Sequence, residues 1–305
     1  MTEPATRRRI RPQITLAVVA ATMLTATLAG CGSSTTSAAH DVTRPAAATQ
    51  TQPLPEKGVA SRISVGNSSA NVLCTGSAST RPTIVLLAGL PDPLTKFASL
   101  QATLSRTTRV CSYDRPGEGA SAKPTQSQTL SDSATLLDGV LDAEKVTGKV
   151  VVVGHSLGGL IAAQFAHQYP ARVAALVLLD ATAPSVGGAI DSLIPASATG
   201  ILAGVREEVD ALSSATTNPE KLVYTGAPIG SLGSIPLTVV QHGQQIYAPL
   251  PKYATQIQDI WTRGQQQLAH LSSNSKLITA HTSGHYIFLD QQALAVQVIE
   301  HATTA

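Results

Sequence analysis

From residue 58 onward, short β-branched runs alternate with segments of helical period. Strands are predicted at residues 62–65, 71–75, 83–87, 109–113, 150–153, 175–179, 235–241 and 276–279. The central ones, such as Val150 to Val153, are almost purely Val, Leu and Ile, as strands covered on both faces must be. Between strands, Leu130, Ala134, Leu137 and Leu141 recur on one helical face, with Gly148 as the expected stop. A second helix is predicted from Gly158 to about Gln168, ending at Pro170. Such alternation argues an α/β fold, a mostly parallel sheet with helices on both faces. Residues 184–234 break the rhythm. They are rich in Gly, Ala and Ser, with weak helical period at 201–212, and read as a cap inserted over one edge of the sheet.

Ahead of residue 58 the pattern changes twice. Arg7, Arg8, Arg9 and Arg11 precede an apolar run from Ile14 to Leu28. That run is about 15 residues long, short of the roughly 20 a spanning helix needs. Residues 1–30 therefore read as a signal peptide. Its end, Leu28-Ala29-Gly30-Cys31, resembles a bacterial lipobox. That resemblance implies cleavage before Cys31, a lipid on Cys31 and a place in the cell envelope, outside the cytoplasmic membrane. Residues 31–57, dominated by Ser, Thr, Ala and Pro, read as a flexible tether. One domain, 58–305, follows.

Charge changes the picture only once the leader is set aside. The full chain has 21 basic and 19 acidic residues. Four of the former and Glu3 precede Cys31, so a chain starting there has 17 and 18. No basic stripe remains and aromatics are 3% of residues, which excludes an electrostatic nucleic-acid interface. No CxxC or HExxH spacing occurs, and neither a metal nor an organic cofactor is implied.

The chemistry concentrates at Gly154-His155-Ser156-Leu157-Gly158, where a buried strand turns directly into a helix. Such a turn forces its central serine into strained dihedrals, so Gly154 and Gly158 must lack side chains. It also exposes Oγ at the start of a helix, whose first amides suit a developing oxyanion. A serine near neutral pH needs a base to take its proton. Of eight histidines, His155 points away from its neighbour, His40 is in the tether, His167 is helical and His301 is terminal. His242, His270 and His281 lack a supporting context. His285, in Ser283-Gly284-His285 just past the last strand, is the expected base, with His281 as fallback.

These motifs, in order, resemble the α/β-hydrolase superfamily: Leu86-Leu87-Ala88-Gly89-Leu90-Pro91, Tyr113-Asp114-Arg115-Pro116-Gly117-Glu118-Gly119, the serine turn, Leu178-Leu179-Asp180 and Ser283-Gly284-His285. The resemblance spans residues 58–305. It implies an eight-stranded sheet and an oxyanion hole from the Leu90 and Leu157 amides. It also implies a structural turn at 114–119, which we read as an Asp114–Arg115 ion pair shaping a loop. The family's strand order sets the second and fourth strands side by side. With Cys31 lipidated, Cys74 and Cys111 then become a disulfide pair in an oxidising compartment, two buried thiols being the alternative. Most relatives place the triad acid after the seventh strand, where this chain has His242-Gly243-Gln244-Gln245 and no carboxylate. A minority place it at the end of the sixth, where Asp180 stands. Asp180 is the expected acid, with a turn-capping role as its alternative, and Asp259 and Asp290 read as solvated or capping acids.

The reading that follows is a membrane-anchored serine hydrolase acting on a small carboxylic ester through an acyl-enzyme. An amidase, a peptidase or a cofactor-free peroxidase would use the same residues. The absent acid after the seventh strand motivates a different class, a non-catalytic binding lipoprotein on a hydrolase fold.

Overall fold

The computed structural model describes residues 58–304 except Asn67 and Pro251; the expected signal peptide, Cys31 and the tether lie outside the described residues. All eight expected strands form: β1 (Ser61–Val65), β2 (Ser68–Thr75), β3 (Thr83–Leu87), β4 (Val110–Asp114), β5 (Val150–His155), β6 (Val173–Leu179), β7 (Leu237–His242) and β8 (Ser275–Ala280). They make a single sheet in the order β1-β2-β4-β3-β5-β6-β7-β8. β1, β2 and β4 pair antiparallel, and every pair from β4 through β3 to β8 is parallel.

The helices are α1 (Ala98–Leu104), α2 (Leu130–Ala143), α3 (Leu157–Gln168), α4 (Val186–Leu193), α5 (Ile201–Ser213), α6 (Ala254–Ala269), α7 (Ile287–Asp290) and α8 (Gln292–Ala302). They cover both faces because the central strands are apolar on both. Val85, Leu87, Val150 and Val152 face a core shared with α2, α3 and α6, while Ile84, Leu86, Val151 and Val153 face one shared with α1 and α8. Successive side chains of a strand point to opposite faces, so one run of valines feeds two cores.

Local chemistry sets the helix ends. Thr129 and Asp132 close a reciprocal capping box at the start of α2. That helix stops at Ala143 rather than near Gly148, because Lys145 adopts φ 57° and turns the chain first. Cys74 and Cys111 lie opposite each other in the β2–β4 ladder and are joined as a disulfide. Closing the 37-residue loop contributes roughly 3–4 kcal/mol in the chain-entropy account. The segment between β6 and β7 carries α4 and α5, the latter over the residues where weak helical period was read. No helix among the described residues is long and apolar enough to cross a membrane.

Candidate active site

The carboxyl ends of β3, β5, β6 and β7 and the loop after β8 supply the candidate reacting groups, with support from the turn after β4, the segment between β6 and β7, and α6. β5 enters α3 through Ser156, held at φ 51° and ψ −124°. A non-glycine residue in such a region costs on the order of 1–3 kcal/mol, so its surroundings must fix it. They do. The Ser156 carbonyl accepts from the amides of Gly159 (2.9 Å) and Thr182 (3.0 Å). A Cβ at Gly154 would strike Gly158 and Gly159, and one at Gly158 would strike the carbonyls of Leu87 and Ala88. The two glycines let strand, turn and helix close on each other.

The turn after β3 lies against this serine: a Cβ at Gly89 would come within 3.0 Å of the Ser156 Cβ. Leu90 follows it, and Leu157 opens α3, where the first amides of a helix have no partner of their own. The Gly89 carbonyl accepts from Arg115 Nη2 (3.0 Å) and from the Asp92 amide (3.1 Å). A trans peptide sets its carbonyl and N–H in opposite directions, so anchoring the Gly89 oxygen turns the Leu90 N–H the other way.

Arg115 itself departs from expectation. It does not pair with Asp114, whose carboxylate instead takes the amides of Leu94 (2.6 Å) and Ala120 (2.9 Å) and the Asn71 side chain (2.8 Å). Those contacts shape the turn, because three donors satisfy a buried carboxylate without a counter-charge. The Arg115 guanidinium also donates to the Ala88 carbonyl, and it forms a bidentate pair with Glu220 at 2.9 and 2.8 Å. Glu220 comes from the segment inserted between β6 and β7, and both partners are 2% exposed. Beside them the Glu118 Oε1 is buried without a partner, and burial pushes that carboxyl up to about 7 against the pull of Arg115.

Asp180 ends β6 with φ 47° and is fully buried. Its Oδ2 lies 2.6 Å from His285 Nδ1 and 2.7 Å from His242 Nδ1. Its Oδ1 accepts from the His242 amide (3.0 Å) and the Trp261 indole (2.9 Å). Burial alone would raise its pKa, but the hydrogen bonds from the two imidazoles outweigh that and hold it well below the carboxylate range. The carboxylate is therefore charged, and each Nδ1 facing it carries a proton. His285 keeps 19% of its side chain exposed, which leaves Nε2 as its open atom; His242 is 0% exposed.

The loop carrying His285 is held from two sides. Asp290 accepts from the Gly284 amide (2.8 Å) and the Ser283 hydroxyl (3.2 Å), the capping role read from the sequence. His155 Nε2 donates to the His285 carbonyl (3.0 Å), with its ring packed among those of His285, Tyr286 and Phe288. Burial, then the neighbouring His285, lowers the His155 pKa well below its usual value, so it stays neutral.

The structure thus brings Ser156, Leu157, Gly89 and Leu90 together at one turn, and Asp180 and His285 together in one hydrogen bond. His281 is exposed past β8, and Asp259 is exposed on α6. The sequence reading missed His242 and Trp261, which bond Asp180, Gln258, which bonds His242, and Glu220, which neutralises Arg115. His242 stands at the end of the buried strand Leu-Thr-Val-Val-Gln, beside the β6 end in a parallel sheet; that adjacency was the available signal. Among the described residues, no group of three or more His, Cys, Asp or Glu is placed to hold a metal ion.

A family model described as alpha/beta hydrolase fold matches residues 82–275. An uncharacterized protein of Mycobacterium bovis is 39% identical over 104 residues, which are 33% of this chain and 29% of that protein. The RutD protein of Cronobacter sakazakii, which carries the name of a carbamate hydrolase, is 35% identical over 100 residues, 32% of this chain and 37% of its own. The matched stretches thus span about a third of these relatives. Among solved structures, a thermophilic esterase from Thermogutta terrifontis superposes with a TM-score of 0.57 at 20% identity, over 80% of this chain and 97% of that one. An enol-lactonase from Burkholderia xenovorans does so at 0.57 and 18%, over 80% and 100%.

Proposed function

Because this chain belongs to the alpha/beta hydrolase fold family, we propose that it is a serine hydrolase that cleaves carboxylic esters through an acyl-enzyme. The observation that carries this reading is the 2.6 Å contact between a buried, charged Asp180 and His285, whose Nε2 stays open at the edge where Ser156 stands. Ser156 Oγ attacks the ester carbonyl and passes its proton to His285 Nε2. Asp180 holds the Nδ1–H tautomer and stabilises the imidazolium that forms. The Leu90 and Leu157 amides receive the oxyanion. The tetrahedral adduct collapses, His285 returns the proton to the departing alkoxide, and water then repeats the sequence on the acyl-enzyme.

The Asp180–His285 contact weighs against the non-catalytic reading, because it gives a carboxylate partner from the β6 end where none stands after β7. The segment between β6 and β7 is poor in aromatics and rich in Ala, Leu, Ile and Val, a composition that favours an apolar acyl or alcohol part. Carbamate or amide cleavage is the second reading, favoured by the partial match to RutD. Attachment to the cell envelope through a lipid on Cys31 is part of the proposal; the Cys74–Cys111 bridge supports an oxidising compartment.

The test is labelling of the full-length protein with a fluorophosphonate, with adduct mapping by mass spectrometry, beside Ser156→Ala and His285→Ala. Rapid labelling at Ser156, lost in both variants, is the expected result; a folded protein that never labels returns the binding reading to first place. p-Nitrophenyl esters of rising chain length, set against matched anilides, then separate ester from amide preference. A flat chain-length profile would sink the apolar-substrate reading.

A further inference from the structure

Two imidazoles share one oxygen of Asp180, and only one of them can meet a substrate. His242 is sealed from solvent, and its Nδ1 and backbone amide together hold both oxygens of the carboxylate. Its other nitrogen, Nε2, lies 3.1 Å from Gln258 Oε1 and 3.0 Å from Gln258 Nε2. An amide presents a donor and an acceptor on one fork. Gln258 therefore has a partner for either state of this ring: its NH2 donates to a neutral Nε2, and its carbonyl accepts from a protonated one. A buried imidazole that is satisfied in both protonation states can titrate without leaving an orphaned polar group.

We propose that His242 is a positioning residue for the base: neutral, it holds Asp180 toward His285, and protonated, it withdraws the carboxylate's charge from His285. The inference rests on the serine-hydrolase reading and adds a regulation to the same site. The ring takes up its second proton at Nε2 when local motion admits water, and the new Nε2–H donates to the Gln258 carbonyl once that amide has turned over; Nδ1 keeps its proton throughout. Asp180 then faces a full positive charge at 2.7 Å and has less to offer the imidazolium that His285 must become. The His242 pKa supports this direction: burial would lower it, and the bonds to Asp180 and Gln258 raise it above its ordinary value.

The other groups around His242 do not replace it in this role. From the end of β6 it meets Asp180, whose Oδ2 it shares with His285 of the loop after β8, and from the segment after β7 it meets Tyr247, whose ring lies 6.3 Å away. Burial keeps the Tyr247 phenol protonated, with Asp180 and Glu208 of α5 adding to that. From α6 it meets Gln258 and the Trp261 indole, while Asp259 and Arg263 of that helix are exposed. At the β8 end, His281 is exposed, and on α7 Asp290 is committed to Gly284 and Ser283.

The experiment is the pH dependence of fluorophosphonate labelling of the full-length protein from pH 4.5 to 8.5, in parent and His242→Asn, each normalised to its own high-pH plateau. Asparagine keeps an N–H for Asp180 and takes up no proton. The expected parent curve falls by more than one decade per pH unit on its acid side, reporting two coupled ionisations. The variant falls by one decade per unit. Imidazole NMR titration of Ser156→Ala, a second route that needs no change at position 242, should show two mutually perturbed histidines on Asp180. Superimposed one-proton curves, or a single histidine titrating there, overturn the role of His242 and leave the hydrolase standing. A parent that labels at no pH overturns the hydrolase reading and this inference with it.

Discussion

Two buried charge centres lie at the same edge of the sheet, and they are built in opposite ways. Around Asp180, four donors converge on one carboxylate, and one of them, His285, keeps an open face. Around Arg115, the guanidinium is closed off by Glu220 and two carbonyls, while Glu118 is left with an unpartnered oxygen. In the proposed mechanism the first centre holds a negative charge in readiness for the positive one that His285 would acquire during reaction. The second has its charges already neutralised and can only hold things in place. Burial is common to both, so function is read from which charge is left uncompensated.

That contrast can be broken at either centre. The largest effect is expected from Asp180→Asn, which removes the charge and favours the wrong tautomer of His285. Labelling of Ser156 should slow by about 10³–10⁴-fold, measured beside thermal unfolding to separate chemistry from folding. Arg115→Met should instead act on stability. It leaves Glu220 charged and unpaired and costs about 3–5 kcal/mol by urea unfolding, while the double change with Glu220→Leu recovers part of that loss. Glu118→Gln should stabilise. The folded-state pKa of about 7 lies above the unfolded one, so this group's favourable contribution is complete below the unfolded pKa and is lost as pH rises through 7. The variant should gain about 1–3 kcal/mol over the parent at pH 8 and little at pH 4.5. The smallest effect sharpens the Asp180 centre. Trp261→Phe removes one of four donors, and labelling should slow by roughly threefold to tenfold.

The sequence made the eight strands plain because valine and leucine runs buried on both faces leave little else for the chain to do. It also pointed to Ser156, whose flanking glycines are a local steric demand, to Asp180, directly after a predicted strand, and to His285, in the short loop after the last one. What it hid has a common cause. Helix α6 buries Ile257, Ile260, Trp261 and Leu268, but Gln265 shares that face and glutamines crowd the rest, so its apolar stripe was blurred. His242 and Trp261 reach Asp180 from 62 and 81 residues away, Gln258 backs His242, and the three form no motif of their own. Glu220 meets Arg115 across 105 residues. A carboxylate's position is written locally, whereas the identity of its partners is settled only by packing.

The bond between Arg115 and Glu220 also bears on how this protein could be re-engineered. Insertions between strands are commonly treated as interchangeable modules, swapped to change what a scaffold accepts. Here the inserted segment lends a carboxylate to the arginine that anchors the Gly89 carbonyl, and so it has a hand in setting the Leu90 amide. A graft lacking that carboxylate would arrive with an electrostatic debt at the centre of the scaffold. Any transplanted segment must therefore carry an acid at the position of Glu220, or the recipient must give up Arg115 with it.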